Sequence, residues 1–241
     1  AIAKAKGIPI ILDLNKEKVE QLVGEISQKY SVKTKGFSVD ITNEEQIKES
    51  SDTLISNYGK IDALVNNAAN NPKVENSDGK NFSRLEKFPL EAWQKDISVG
   101  LTGAFLCCKH YGTRISENPN GGVILNISSD LGIIAPNQDI YKETNFIKPV
   151  SYSVVKHGII GLTKYTASYW AKKNIRCNAI APGGIFNNQD KNFLNEIKKI
   201  IPMGRMAKKN EYNDLVLFLC SKSSSYLTGS VVISDGGRTI I

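Results

Sequence analysis

The stretch Gly121-Gly122-Val123-Ile124-Leu125-Asn126-Ile127-Ser128-Ser129 decides how this chain folds. Two glycines turn the backbone, an apolar run rich in Val and Ile follows, and a pair of serines closes it. A short apolar run bounded by turn residues reads as a strand buried on both faces. Strands of that kind belong to parallel sheets covered by helices. Outward from it the same punctuation repeats. Apolar runs at Ile8–Leu12, Val32–Val39, Ile61–Val65, Val123–Ser128, Ile175–Ile180 and Ser230–Ser234 alternate with segments of helical period. Those segments are 16–29, a helix capped by Thr42 or Asn43 and reaching about Tyr58, and a long helix from Leu90 to about Ile115 whose weak point is Gly100–Gly103. Three more follow: from Tyr152 to about Lys173, Phe193–Ile201, and about 209–220. This alternation predicts an α/β chain with one parallel sheet and right-handed crossovers. Polar insertions interrupt it at about 70–87 and 135–150, and neither repeats nor linkers divide it, so residues 1–241 read as a single domain.

Composition excludes several classes of function. With 241 residues, 41% of them hydrophobic, the chain is long enough to bury a full core. No apolar run approaches the ~18 residues of a membrane span, and no signal peptide opens the chain. A cytoplasmic protein with no membrane partner is expected. The four cysteines, Cys107, Cys108, Cys177 and Cys220, lack metal-ligand spacing and read as buried free thiols. Two histidines, His110 and His157, are too few for a His-based metal site, and His157 reads as a helix residue beside the site. No metal is expected. The net charge of +7 comes from lysines interleaved with glutamates, as in Asn15-Lys16-Glu17-Lys18-Val19-Glu20. Without a basic tract, no nucleic-acid partner is expected.

Tyr152 and Lys156 lie four residues apart, so on a helix they share a face. A free phenol titrates near 10, too high for proton exchange at neutral pH. Unit charges about 4 Å apart at an effective dielectric of ~20 interact by roughly 4 kcal/mol. At about 1.4 kcal/mol per pKa unit, the lysine could bring the phenolate within reach. A serine at the end of the strand ending Ser128-Ser129 could then hold a substrate oxygen. That is alcohol/carbonyl redox chemistry lacking only a hydride carrier. Spacing alone is weak, since Tyr169 and Lys173 share it. Tyr152 is separated from them by context: it follows Pro149, and Ser151 can cap the helix that begins there. Tyr169 reads as packing and Lys173 as a solvated helix end.

Asp13 after the first strand, Asp40-Ile41, Asn66-Asn67-Ala68-Ala69 and Asn126-Ile127-Ser128-Ser129 occur in this order. Tyr152-x-x-x-Lys156, Pro182-Gly183, Thr228-Gly229 and Asp235-Gly236-Gly237 complete the series. In this order the motifs resemble those of the short-chain dehydrogenase/reductase family over essentially the whole chain. The resemblance implies a three-layer, Rossmann-type, doubly wound parallel sheet and a dinucleotide cofactor. It implies that Tyr152 is the general acid/base, that Lys156 lowers its pKa and holds the nicotinamide ribose, and that Ser129, three residues before Gly132, stabilises the alkoxide while Ser128 is structural. Asp13 would bind the adenosine ribose and repel a 2′-phosphate, favouring NAD over NADP. Asp40 and Ile41 would line the adenine, Asn66 and Ala68 the ribose, and Pro182, Gly183 and Ile185 the nicotinamide.

The chain also departs from the family pattern. The glycine-rich phosphate loop, which lies about 20 residues before the acidic residue, would precede residue 1. Ala1–Lys6 reads as the end of the helix after it, and loss of the first, central strand would expose both neighbouring edges. The natural protein is accordingly expected to begin roughly 20–30 residues earlier. Gly100 replaces an asparagine that positions a water behind the lysine, with Ser98 a poorly placed surrogate. Asn187 replaces a threonine, and Ser129 and Tyr152 lie 23 positions apart, well beyond the usual spacing.

The function implied is an NAD(P)-dependent oxidoreductase interconverting a secondary alcohol and a ketone on a small, polar, sugar-like molecule. The overall likeness extends to family members linked to bacterial surface-sugar or flagellin modification. Gly100 favours the alternative of a non-catalytic dinucleotide-binding or scaffolding protein; the joint presence of Ser129, Tyr152 and Lys156 opposes it. An epimerase or dehydratase acting on nucleotide sugars would share the residues but usually carries a larger C-terminal domain. The resemblance also implies a homo-oligomer, tetramer or dimer, built on the helices at about 90–115 and 151–173.

Overall fold

The computed structural model describes residues 1–70, 83–141 and 147–241. Six strands form, β1 Ile10–Asp13, β2 Lys35–Ser38, β3 Ala63–Asn66, β4 Gly122–Ile127, β5 Ile175–Pro182 and β6 Val231–Ser234. Every pairing is parallel. β1 and β2 pair alone, from Ile10↔Lys35 to Asp13↔Ser38. The others form a sheet in the order β3-β4-β5-β6, in which Asn66 lies beside Asn126 and Asn126 beside Ala179. β1 and β3 therefore each keep one edge without a strand partner among the described residues.

Local chemistry sets the helices. Asn15 starts α1 (Lys16–Tyr30) by accepting from the Lys18 N–H at 2.9 Å, and Ser31 ends it in the left-handed region, φ 53°. Asn43, rather than Thr42, caps α2 (Glu44–Tyr58), accepting from the Glu45 and Gln46 N–H groups. The long helix does not break. It runs through α3 (Leu90–Ile97), α4 (Gly103–Cys107) and α5 (Thr113–Ser116), joined by wider π turns at Ser98–Thr102 and Cys108–Gly112. Such turns keep a helix continuous while re-aiming its faces. Residues Ala1–Gly7 form hydrogen-bonded turns.

Along β4, side chains alternate between two helical layers. Ile124 joins Ile47, Leu54, Leu106, Tyr111 and Ile115 beneath α2 and the α3–α5 rod. Leu125 joins Ile180 and Leu219 beneath the helix Asn213–Cys220 on the opposite face. Both are fully buried, each stabilising the fold by about 1.5–3 kcal/mol. Ile10, Leu12 and Phe37 pack onto the Ile124 cluster, so the separate pair β1-β2 shares its core. This is the three-layer α/β architecture anticipated from the sequence. Parts of both polar insertions fall at 71–82 and 142–146, outside the described residues. No helix among the described residues is long and apolar enough to cross a membrane.

Candidate active site

The carboxyl ends of β3, β4 and β5 are braced together before any reactive group is placed. Asn66 donates to Asn126 Oδ1 at 2.8 Å, and Asn126 donates to Thr163 Oγ1 at 2.9 Å. This ladder ties two strands to α6 (Val150–Trp170). Ser128 and Ser129 follow β4 and take different partners. Ser128 Oγ donates to the Lys156 carbonyl at 2.7 Å, fastening the strand end to α6. Gly132 permits that approach: a β-carbon there would stand 2.7 Å from the Lys156 carbonyl oxygen and 2.5 Å from Ser128 Oγ. Ser129 lies near enough to Tyr152 to pull the phenol's pKa down.

The electrostatics differ from the sequence expectation. Burial raises the Tyr152 phenol above its ordinary pKa; the Ser129 hydrogen bond lowers it and the Asp130 charge raises it. Lys156 does not dominate the phenol here. Its Nζ lies 5.8 Å from the Tyr152 ring centroid and donates to the Ile127 carbonyl at 2.8 Å. Burial in turn lowers Lys156 to about 8, because the ammonium has left water for the protein interior.

Two groups that the sequence reading missed lie at the same place. Lys148, four residues before Tyr152, sets its Nζ 3.6 Å from the ring centroid. The spacing Lys148-x-x-x-Tyr152-x-x-x-Lys156 was visible in the sequence as a lysine one helical turn to either side. Asp130 follows Ser129 and accepts from its Oγ at 2.8 Å and from the Leu131 N–H at 2.8 Å. Its other oxygen pairs with Arg238 Nη1 at 2.8 Å, both side chains being buried (6% and 4% exposed). Arg238 lies 108 positions downstream and gives no sequence signal.

Other expectations near the site need correction. Ser151 does not cap α6, which begins at Val150 with Pro149 as its N-cap. Ser151 is fully buried and donates to Asp96, which also accepts from Asn70 at 2.7 Å. A buried carboxylate outcompeted the backbone for that hydroxyl. Tyr169 is not buried packing: it is 65% exposed and stacks on Tyr165 with centroids 5.9 Å apart. His157 is exposed and bonds the Ser153 carbonyl at 2.9 Å, away from the phenol. At Gly100 a β-carbon would meet Val155 Cγ1 at 2.6 Å, so α6 occupies the space an asparagine would need.

The residues assigned to a dinucleotide lie around the same strand ends. Asp13 ends β1, is exposed, and uses Oδ1 to accept from the Asn15 N–H at 2.9 Å. Asp40 Oδ1 accepts from the Thr42 N–H and hydroxyl, at 2.9 and 2.7 Å, the bonding of a turn-stabilising aspartate, with partly buried Ile41 beside it. Ala68 follows β3 and is exposed. Pro182 ends β5, and the Gly183 N–H donates to the Ser234 carbonyl at 2.9 Å. A β-carbon on Gly183 would meet Asp235 Cα at 2.8 Å, so this edge needs a residue without a side chain. Ile185 is 37% exposed. The carboxyl ends of parallel strands are where open α/β sheets take their ligands, and exposed Asp13 stands at one of them. Among the described residues no group of His, Cys, Asp and Glu could hold a metal ion.

Comparison with known proteins agrees with this geometry. The family model described as enoyl-(acyl carrier protein) reductase matches residues 1–239. The 3-oxoacyl-(acyl-carrier-protein) reductase of Aquifex aeolicus is 34% identical over 240 residues, covering 98% of this chain and 89% of its own. The chain belongs to the short-chain dehydrogenase/reductase family. Post-translational flagellin modification protein A of Campylobacter coli is 28% identical over 237 residues, 98% of this chain and 90% of that one. The solved structure of ElxO with NADP bound is 26% identical and superposes with a TM-score of 0.84, over 100% of this chain and 92% of that one. As a short-chain dehydrogenase/reductase, this protein is an NAD(P)-dependent oxidoreductase.

Proposed function

We propose that this dehydrogenase/reductase interconverts a secondary alcohol and a ketone on a small, polar, sugar-like substrate, with Tyr152 as general acid/base. The observation that carries the reading is the convergence on the Tyr152 phenol of Ser129, at the end of β4, and of Lys156, one turn further along the same helix with its Nζ 5.8 Å from the ring centroid. A bound nicotinamide supplies the hydride acceptor or donor. The chain's own residues do the rest. Ser129 holds the substrate oxygen and donates to it as negative charge develops. Tyr152 takes or gives the hydroxyl proton. Lys156, fixed on the Ile127 carbonyl, supplies positive charge along the same face. Asp13, Asp40, Ile41, Asn66, Ala68, Pro182, Gly183 and Ile185 hold the dinucleotide, together with Tyr152 and Lys156. The Asp13 carboxylate opposes a 2′-phosphate, so NAD is the preferred form.

The chain acts as one domain in a cytoplasmic homo-oligomer. Exposed Phe105 on α4 and Tyr165 and Tyr169 on α6 support a second copy against those helices. The deciding experiment is Tyr152→Phe, assayed by absorbance of the reduced dinucleotide across a panel of alcohols and sugars. Turnover should fall about 10²–10⁴-fold, far more than dinucleotide affinity, and kcat/KM should favour NAD over NADP. A fully active variant excludes the mechanism. Dinucleotide binding by the wild-type protein without any turnover supports the non-catalytic alternative.

A further inference from the structure

Lys148 has no part in the mechanism above, yet it is among the best-positioned cations in the molecule. Gln138 grips its backbone from both sides: the Lys148 N–H donates to Gln138 Oε1 at 3.0 Å, and Gln138 Nε2 donates to the Lys148 carbonyl at 3.3 Å. Pro149 follows directly and caps α6, which fixes the chain direction. From this anchored position the side chain crosses the Tyr152 ring, its Nζ 3.6 Å from the centroid.

Among the described residues the surrounding charges leave this ammonium without an ion pair. The groups acting on it are Asp130, Lys156, Arg238 and Asp96. Asp130 is committed to Arg238, Ser129 and the Leu131 N–H. Asp96 is committed to Ser151 and Asn70. No carboxylate among the described residues forms an ion pair with Lys148. Desolvation holds the lysine at about 8, well below an ordinary ammonium. A ring face offsets only part of that loss. An anchored, desolvated cation beside the reacting phenol, with no ion-pair partner among the described residues, is the arrangement of a binding group awaiting a charge from outside.

We propose that Lys148 binds a carboxylate of the substrate, which makes the preferred substrate class hydroxy acids and their keto acids. The inference rests on the alcohol/ketone reading of this site and narrows it. One free ammonium matches one negative charge, which favours a carboxylate over a phosphate dianion. With the carbinol held by Ser129 and Tyr152, the carboxylate projects over the Tyr152 ring toward Lys148.

The test uses matched pairs in which a hydroxymethyl group replaces the carboxylate and the secondary alcohol is kept: lactate and propane-1,2-diol, 3-hydroxybutyrate and butane-1,3-diol, D-gluconate and sorbitol. Sorbitol 6-phosphate serves as the phosphate arm. Hydride transfer to NAD is followed for wild type, Lys148→Gln and Lys148→Arg. At least one acid should exceed its uncharged partner tenfold or more in kcat/KM. Lys148→Gln should raise KM for that acid at least tenfold with little change in kcat, leave the uncharged partner unaffected, and be partly rescued by Lys148→Arg. Calorimetry of the same acids with the NAD-saturated protein gives a second reading that does not need turnover. Uncharged alcohols turned over as well as acids, or Lys148→Gln slowing both equally, overturn the assignment and leave the Tyr152 chemistry intact. Preference for sorbitol 6-phosphate over gluconate overturns the carboxylate. No turnover of any compound counts against the alcohol/ketone reading itself, and absence of acid binding in calorimetry overturns the role of Lys148 independently.

Discussion

Replacing Arg238 by methionine should destabilise the protein by about 3–5 kcal/mol, because it strands Asp130 as a buried, unpaired charge. The magnitude follows from burial: Asp130 and Arg238 are 4% and 6% exposed and 2.8 Å apart, so water cannot reach the freed carboxylate without opening the structure. For a chain of this size, each kcal/mol shifts the melting temperature by about 2–4 °C. The expected loss is therefore roughly 6–20 °C, read by circular dichroism with urea melts alongside. Introducing Asp130→Asn into the Arg238→Met background removes the stranded charge while keeping a group that can accept from Ser129 Oγ. That double variant should recover a large part of the loss, a coupling that independent sites would not show. Because Asp130 also orients the Ser129 hydroxyl, Arg238→Met should lower kcat even at temperatures where it stays folded. An Arg238→Met protein melting within 2 °C of wild type, or a double variant less stable than the single one, would refute the reasoning.

Two further outcomes are expected. Gly100→Asn places a β-carbon 2.6 Å from Val155 Cγ1, so urea melts should show overpacking of about 1–3 kcal/mol, largely relieved by Val155→Ala in the same chain. Lys156→Met should reveal a pH-dependent penalty. Burial lowers Lys156 from 10.5 to about 8, so between those values the unfolded chain binds more protons and the site's contribution to stability rises with pH. The variant should gain on the order of 1–3 kcal/mol over wild type near pH 7, and the gain should vanish as pH approaches 10. A constant difference across that range contradicts the burial argument.

The fold was legible because its signals are local. All six strands form where apolar runs meet turn residues, and Asn15 and Asn43 begin helices through their own side chains. What the sequence concealed depends on partners far along the chain. Ser151 has the chemistry of a cap, but Asp96, 55 residues earlier, accepts its hydrogen bond. Tyr152 and Lys156 share a helix face as the spacing requires, yet the Ile127 carbonyl holds the lysine and burial moves the phenol upward. The glycines near 100 suggested a broken helix; widened turns absorbed them instead. Lys148 was readable as a spacing, but its importance rests on a Gln138 clamp and on carboxylates already engaged elsewhere, which no period encodes.

The uneven burial of the elements bears on how the molecule breathes. β1, α1 and β2 together hold one buried residue, Val19, whereas most of β4 and β5 is buried. Such a segment can open as a cooperative unit of its own. Its amide protons should exchange with deuterium well before those of β4 and β5, whose strands are paired on both sides. Asp13 belongs to that faster-opening unit and Tyr152 to the slower one, so a ligand touching both would slow exchange most in β1 and β2.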